Sequence, residues 1–216
     1  MRTIRIFFSK TGEAAYISHL DLQRVMARAL RRSGIPVWYS QGFNPHIYIS
    51  FALPLPLMQE SVTESMDCKT EADLDDFSGF IAPLNAALPK GLVVSKIAPP
   101  VYSAAQIETA EYHIAYPDRT PEQVGELVAQ YNALPKAMVV RKTKRTQQEM
   151  DLKLLVPSIQ ALQGEAAFVA LLPAGSQLNI NPNLLTSLLQ QQFGFAEAGA
   201  AVKRTQVYTV NGQPFC

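Results

Sequence analysis

Residues 16–51 read YISHLDLQRVMARALRRSGIPVWYSQGFNPHIYISF. This stretch decides the fold because it contains a helix followed by two extended segments, which a polar loop joins to each other. Ser18 and Asp21 form an S-x-x-D capping box, which predicts a helix over 19–33. Gly34 then ends the helix. Apolar residues recur at helical spacing and form the side that we expect to be buried: Leu22, Val25, Met26, Ala29 and Leu30.

The opposite side of this helix carries arginine, uninterrupted by lysine or glutamate. At about 100° per residue, these side chains fall within an arc of roughly 100°: Arg24, Arg28, Arg31 and Arg32. Asp21 lies on the same arc and can pair with Arg24 or Arg28. Because guanidinium groups suit bidentate contacts with phosphate, the arc predicts an anion-binding face. An ordinary solvated face is the alternative.

The loop SQGFNPH over 40–46 combines polar side chains with an aromatic ring. Gly42 permits a turn with positive φ, and Pro45 stiffens the exit. Such a loop can project side chains at a ligand, and exposed rings beside arginines can stack unpaired bases. The alternative is a turn that only joins two strands, with buried rings. Together with the four arginines, the candidate RNA contacts are Tyr39, Ser40, Gln41, Phe43, Asn44 and His46.

The first half of the chain has the element order β-α-β-β-α-β. Its apolar patterns predict strands over 2–8, 37–40, 46–53, 61–69 and 92–97, with a second amphipathic helix over 72–88. The segments over 37–40 and 46–53 flank the polar loop and count together as one strand region. This order is ferredoxin-like, and it builds an antiparallel sheet with both helices on one face.

After a proline-containing linker, the pattern starts again with one strand more. It predicts strands over 110–116, 137–144, 152–159, 167–172 and 202–210, with helices over 121–132 and 182–192. We therefore predict an α+β protein of two tandem ferredoxin-like (βαββαβ-type) domains with antiparallel sheets. The first domain is expected over 1–98, the linker over 99–107 and the second domain, with its extra strand, over 108–216.

The composition bounds the class of protein. Hydrophobic residues make up 48% and charged residues 17% of the chain, so we expect an ordered core. No apolar run approaches the ~20 residues of a membrane span, and the N-terminus reads as a strand without a signal peptide. Cys68 and Cys216 are the only cysteines, so a disulfide framework, a zinc site or an iron–sulfur cluster lacks ligands. We expect a cytoplasmic protein that has no metal or other cofactor of its own.

Charge is distributed unevenly although the net charge is only +1. Acids collect over 60–76, and four of them are predicted to open the second helix and complement its dipole: Glu71, Asp73, Asp75 and Asp76. A docking face for a basic partner is the alternative. Basic residues collect over 136–145, and two interpretations of them are open. They belong either to a strand that follows a phosphate backbone or to a charged strand at a sheet edge that prevents aggregation. The candidate contacts there are Arg141, Lys142, Lys144 and Arg145.

One motif resembles a known family closely. It runs from Ser18-His19-Leu20-Asp21 through Arg31-Arg32 and continues as Tyr39-Ser40-Gln41-Gly42-Phe43-Asn44-Pro45-His46. It resembles the radical-SAM-linked protein family, a bacterial domain of unknown function found adjacent to or fused with B12-binding radical SAM proteins. The resemblance covers most of the chain. It implies a radical SAM partner, often encoded near genes for a ribonuclease and ribosomal proteins, and therefore by association a role directed at RNA. It supplies no catalytic residue.

A looser resemblance, mainly in architecture, is to RNA-processing proteins of CRISPR systems. These also use tandem ferredoxin-like domains, and some cleave RNA with a histidine and no metal. Fold likeness of this kind is a weak guide to function.

Three functions follow from these observations. The first is a non-catalytic accessory protein that binds RNA (tRNA or rRNA) and presents it to a radical SAM modifying enzyme, because this chain lacks the three closely spaced cysteines that such an enzyme needs. The second is a metal-independent endoribonuclease in which His19 and His46 act as general base and acid. The third is a pure protein–protein adaptor for the radical SAM partner. We expect the first, with neither a membrane nor DNA as a partner.

Overall fold

A computed structural model describes residues 1–74, 76–142, 147–195 and 199–216, and of Lys142 it describes the backbone alone. Within these residues the protein is α+β with four α-helices. The chain divides into two compact units, Met1–Gln106 with Phe215–Cys216, and Ile107–Pro214.

The described residues of the first unit form four strands and two α-helices: β1 (Arg2–Lys10), α1 (His19–Ser33), β2 (Ile49–Phe51), β3 (Glu60–Thr70), α2 (Ile81–Ala87) and β4 (Leu92–Ala98). β1 pairs antiparallel with β3 on one side and with β4 on the other. β2 pairs antiparallel with β3. The order along the sheet is therefore β4–β1–β3–β2, and the strands predicted over 2–8, 61–69 and 92–97 are confirmed within a few residues.

The helix α1 begins and ends where its sequence predicts. The Ser18 hydroxyl accepts a hydrogen bond from the Asp21 N–H at 3.2 Å, and Gly34 closes the helix with a φ of +77°. The predicted apolar side packs into the core against the sheet, although Val25 is only partly buried. The other core residues on the sheet include Ile4, Ile6, Phe8, Met66 and Cys68. Both helices of this unit contribute to that one core, so they share one face of the sheet.

The predicted helix over 72–88 is wrong in its first half. After β3 the backbone is held outside a helix, because the N–H of Ala72 bonds to the Thr70 hydroxyl. A carboxylate oxygen of Asp76 then accepts the Ser78 N–H at 2.8 Å, which starts a short 3₁₀ turn ahead of α2. Glu71 and Asp73 therefore open no helix, and Asp76 precedes only the short 3₁₀ turn, so the predicted complement to the dipole of a helix over 72–88 is also wrong for them. Asp75 lies outside the described residues.

The extended segments around the polar loop form less regular strand than predicted. Only β2 is a strand over this stretch, and single bridges join Val37 to Thr70 and Tyr39 to Ile47. These bridges nevertheless make residues 38–48 a short hairpin at the edge of the sheet. We call it the edge hairpin.

Where the structure describes the second unit, it has six strands and two α-helices: β5 (Ile107–Ala115), α3 (Pro121–Ala133), β6 (Met138–Lys142), β7 (Gln147–Asp151), β8 (Gln160–Ala161), β9 (Ala167–Pro173), α4 (Pro182–Phe193) and β10 (Ala201–Thr209). Antiparallel pairing gives the order β10–β5–β9–β8. β6 and β7 pair with each other in a separate two-stranded sheet. Both predicted helices are confirmed, and so are the strands predicted over 110–116, 167–172 and 202–210.

The strand predicted over 152–159 is wrong. The Asp151 carboxylate accepts the N–H groups of Ala137 and Lys153, and this starts a 3₁₀ turn over Leu152–Leu154. Beyond that turn the Tyr131 hydroxyl donates to the carbonyl of Val156 at 2.7 Å. Side-chain hydrogen bonds therefore satisfy backbone groups of residues 153–156 in place of pairing with another strand. The strand pairing outside the four-stranded sheet comes instead from β6 and β7, which pair with each other.

Candidate functional site

The four arginines of α1 all lie on its exposed side. Arg24 forms an ion pair with Asp21 at 2.9 Å, and a hydrogen bond from Ser18 together with that guanidinium lowers the pKa of Asp21. Within the described part of the chain, Arg28 and Arg32 have no acidic side chain within 4.0 Å. From Arg24 to Arg32 the helix rises about 12 Å. α1 thus presents a line of largely uncompensated positive charge.

Two acids of the 60–76 stretch pair with arginines of β1. The antiparallel register sets Arg5 opposite Asp67, and two hydrogen bonds of 2.7 and 2.8 Å join the guanidinium to the carboxylate. Arg2 pairs with Asp73 at 2.5 Å. Several acids of the 60–76 stretch are therefore engaged inside the first unit and do not face the arginines of α1.

The edge hairpin is pinned at its neck by hydrogen bonds between Ser40 and His46. The Ser40 N–H donates to the His46 carbonyl at 2.9 Å, and the His46 N–H donates to the Ser40 hydroxyl at 3.1 Å. The same hydroxyl lies 2.9 Å from Nδ1 of the His46 ring. Gly42, at a φ of +129°, turns the chain at the tip. Hydrogen bonds therefore fix the conformation of the loop at its neck.

Side chains of the edge hairpin alternate between two faces of the sheet. On the side of α1, the Arg31 guanidinium lies 5.9 Å from the centre of the Tyr39 ring. On the far side, the Lys69 ammonium lies 5.2 Å from the Trp38 ring and 5.4 Å from the Tyr48 ring. Each face of the hairpin thus carries a cation held over aromatic rings.

The tip of the edge hairpin carries the most exposed ring of the described residues. Phe43 has a relative accessibility of 105%, so its ring touches almost nothing in the protein. Its neighbours Gln41 and Asn44 are also exposed. The structure therefore gathers the predicted contacts of the loop around one projecting aromatic group, with Arg31 at its root.

The two histidines of the candidate site contact different surroundings. The His19 ring packs edge-on against Phe51, with centroids 5.1 Å apart. Phe51 and Ile47 are buried, whereas His46 and Tyr48 are exposed, so His46 lies on the opposite face of this extended segment. Along an extended chain, positions 46 and 51 are about 16 Å apart. His46 is held within its own loop and does not share a face with the ring that His19 contacts.

The basic strand predicted over 137–144 is present in the second unit as β6. The Arg141 guanidinium donates to the Asn179 carbonyl at 3.1 Å and lines an open cavity of about 320 Å³ beside the start of α4. Of the other candidates on this strand, Lys144 and Arg145 lie outside the described residues, as does the side chain of Lys142.

Comparison with known families identifies most of the chain. Residues 3–182 match a family described as "Uncharacterized protein conserved in bacteria (DUF2344)". The chain belongs to this family. The matched residues include α1, the edge hairpin and β6. No curated protein matches the DUF2344 chain.

Two features are missing from the described residues of this DUF2344 protein. No helix there is long and apolar enough to cross a membrane. Nor do three histidine, cysteine, aspartate or glutamate side chains gather there as they would around a metal ion.

Lys69, Trp38 and Tyr48 are absent from the sequence-based list of candidates, yet they form a cation–aromatic cluster. Lys69 is the one basic residue among the acids of residues 60–76, so the sequence alone does not indicate that it contacts two aromatic rings. The signal that could find it is register, because the bridge from Val37 to Thr70 sets Trp38 beside Lys69. That register is visible only once the strands are paired.

Proposed function

We propose that this protein is a non-catalytic RNA-binding accessory protein, in which α1 holds phosphates and the edge hairpin contacts a base or sugar. The observation that carries the proposal is the juxtaposition of Arg31 and Tyr39. It joins a line of positive charge to a hairpin that ends in an exposed ring. Arginine beside aromatic rings is the chemistry that binds a phosphate backbone and stacks its bases.

We propose further that the partner is a radical SAM enzyme that modifies the bound RNA, as the family resemblance implies. This chain has only two cysteines, one of them buried, so the cluster of such an enzyme would have to come from the partner. An apolar group at the other end of α1 suits a protein contact. Tyr16, Leu57 and Met58 are each more than half exposed there, and the Met58 N–H bonds to the Ala15 carbonyl.

We also propose that both units have the ferredoxin-like topology. The support is the strand order, since β4–β1–β3–β2 and β10–β5–β9–β8 place corresponding strands alike. The hairpin of β6 and β7 is then an insertion in the second unit.

The ribonuclease alternative has less support. A general base and a general acid must both reach one phosphate, whereas His19 packs on Phe51 and His46 occupies the other face of the same segment. We therefore expect the purified protein to leave bound RNA intact. Cleavage that the double substitution His19→Ala/His46→Ala abolishes, with binding retained, would favour the ribonuclease instead.

RNA binding by the purified protein, measured at about 50 and 200 mM salt, tests the proposal. If four phosphates are contacted, affinity should fall roughly 50-fold across this range. The double charge reversal Arg28→Glu/Arg31→Glu should weaken binding by roughly 100-fold, because each change replaces an attraction by a repulsion.

A matched control keeps the change in net charge and moves it elsewhere. Lys90→Glu/Arg119→Glu alters two exposed cations outside the candidate site and should leave RNA affinity nearly unchanged. Equal losses in both double variants would mean that only overall charge matters. No binding by the wild type at either salt concentration would remove RNA from the proposal and leave the adaptor function.

A further inference from the structure

We infer that the edge hairpin selects unpaired RNA, with one base stacked on the ring of Phe43. This inference rests on the proposed function, because it names the class of RNA that the same site takes. It depends on three side chains of the site. Phe43 places a ring at the tip of the hairpin, and Arg31 and Lys69 place one cation on each face of its root.

The Phe43 ring is fully exposed. Apolar rings are ordinarily buried, and this one stands wholly in solvent at the tip of a hairpin whose neck is fixed by Ser40 and His46. Gly42 allows the positive-φ turn at the tip, and Pro45 restricts the backbone on the other side of the ring. A ring held out on a defined loop offers a flat apolar face to a ligand without first having to be uncovered.

Positive charge lies on both faces of the hairpin that carries the Phe43 ring. Arg31 lies over Tyr39 on one face of the hairpin, and Lys69 lies between Trp38 and Tyr48 on the other. A ligand that places an apolar face on Phe43 therefore has cations on both sides of its path. A flat base carried on an anionic backbone meets both requirements, and an apolar protein surface meets only the first.

The reach of the edge hairpin favours unpaired RNA over a duplex. Position 43 is four residues from Tyr39, so the ring lies within about 13 Å of the root, the length of about four stacked nucleotides. In a duplex the bases are already stacked on each other, and the deep, narrow major groove excludes side chains. Only an unpaired base leaves a face free for Phe43.

The test measures the binding of a labelled, unstructured RNA of about 12 nucleotides, within the range of known single-strand sites, and of a duplex of the same sequence. The wild type should bind the single strand more tightly than the duplex. Phe43→Ala should weaken single-strand binding about tenfold, as for the loss of one stacked base, and leave duplex binding unchanged. Since the ring packs against nothing, this variant should fold normally.

Two further variants separate stacking from simple apolar contact. Phe43→Trp should retain the single-strand preference, whereas Phe43→Leu, which keeps an apolar side chain without a π face, should behave like Phe43→Ala. A 2-aminopurine base in the oligonucleotide should be quenched by the wild type and by Phe43→Trp, and not by Phe43→Leu.

The outcomes distinguish this inference from the proposed function. If Arg28→Glu/Arg31→Glu abolishes binding while Phe43→Ala changes nothing, the site binds RNA and the stacking inference is overturned, which leaves the ring as a protein contact. Equal affinity for single strand and duplex would overturn it as well. If neither RNA binds to the wild type, both proposals fail together.

Discussion

Arg5 illustrates how burial decides which charges of this protein are available to a ligand. Its side chain is 1% exposed and is held by Asp67 through two hydrogen bonds and by the Tyr102 carbonyl through a third. A buried guanidinium needs such partners, because removing a charge from water costs several kcal/mol. Arg28 is chemically the same group, yet it lies on the exposed side of a helix. Only the second kind of arginine can meet a phosphate.

Cys68 gives a residue-scale prediction. Burial, and to a lesser extent the charge of Asp67, raise the pKa of the Cys68 thiol to about 12. Because the thiolate is the reactive form, Cys68 should be inert in the folded protein at about pH 8, where an ordinary thiol is partly ionised. Cys216 is exposed and should react. A disulfide reagent should therefore modify one thiol per native chain and both thiols in denaturant.

The control for this thiol count is Cys216→Ser, which should show no modification while folded. Rapid labelling of the folded variant would mean that Cys68 is accessible, and the packing between β3 and α1 would then have to be looser than described here.

At the scale of elements, the end of α1 sets where the arginines stop and the edge hairpin begins. Gly34 has a φ of +77°, and a Cβ added there would meet no atom within 4 Å. Gly34→Ala should therefore act through backbone strain alone and lower the free energy of unfolding by about 1 kcal/mol. Urea unfolding measures this change.

Gly125 provides the matched comparison for Gly34. It lies inside α3, its φ is ordinary and a Cβ would also meet nothing within 4 Å. Gly125→Ala should raise the free energy of unfolding by up to about 1 kcal/mol, because alanine is the better helix former. Two glycine-to-alanine changes of opposite sign would tie the effect to backbone conformation. A stabilising Gly34→Ala would contradict the left-handed cap.

These elements also show what the sequence can predict. α1 is predictable at both ends because Ser18 and Gly34 act on their immediate neighbours. The helix predicted over 72–88 fails because Asp76 provides a later start that the apolar spacing conceals. The strand predicted over 152–159 fails for a similar reason, since Asp151 and Tyr131 bond to its backbone from outside. The Asp76–Ser78 and Asp151–Lys153 bonds are local, but an apolar pattern that favours another element conceals them. The bond from Tyr131 to Val156 joins positions that only the folded chain brings together.

The candidate site divides in the same way. The arginines of α1 and the loop over 40–46 are predictable, because helical spacing and turn chemistry are local. Lys69 is not, because its place beside Trp38 and Tyr48 depends on how β3 pairs with the hairpin segment. The separation of His19 from His46 also depends on strand alternation, which the spacing of the two residues along the chain does not reveal.

At the scale of the whole molecule, net charge is a poor guide to binding. The total of +1 conceals a first unit in which Arg2 and Arg5 of β1 pair with two acids of the 60–76 stretch, while the described residues place no acidic side chain within 4.0 Å of Arg28. Long-range attraction for a polyanion follows such local fields and falls with ionic strength. The salt dependence of binding should therefore report the few arginines of α1 and not the total charge.

The chain ends by returning to its first unit, and this gives the last prediction. Phe215 is 6% exposed, and its ring lies 4.5 Å from the Arg5 guanidinium, which it covers. Phe215→Ala should lower the free energy of unfolding by roughly 3 kcal/mol, because it removes a buried aromatic side chain. Phe215→Leu keeps the apolar cover and loses only the cation–π contact, so it should cost about 1 kcal/mol.

Val210→Ala, at a half-exposed side chain of the same terminal region, should cost little. Urea unfolding of the variants gives all three values, and equal costs at positions 215 and 210 would mean that the Phe215 ring does not stabilise the fold of the first unit.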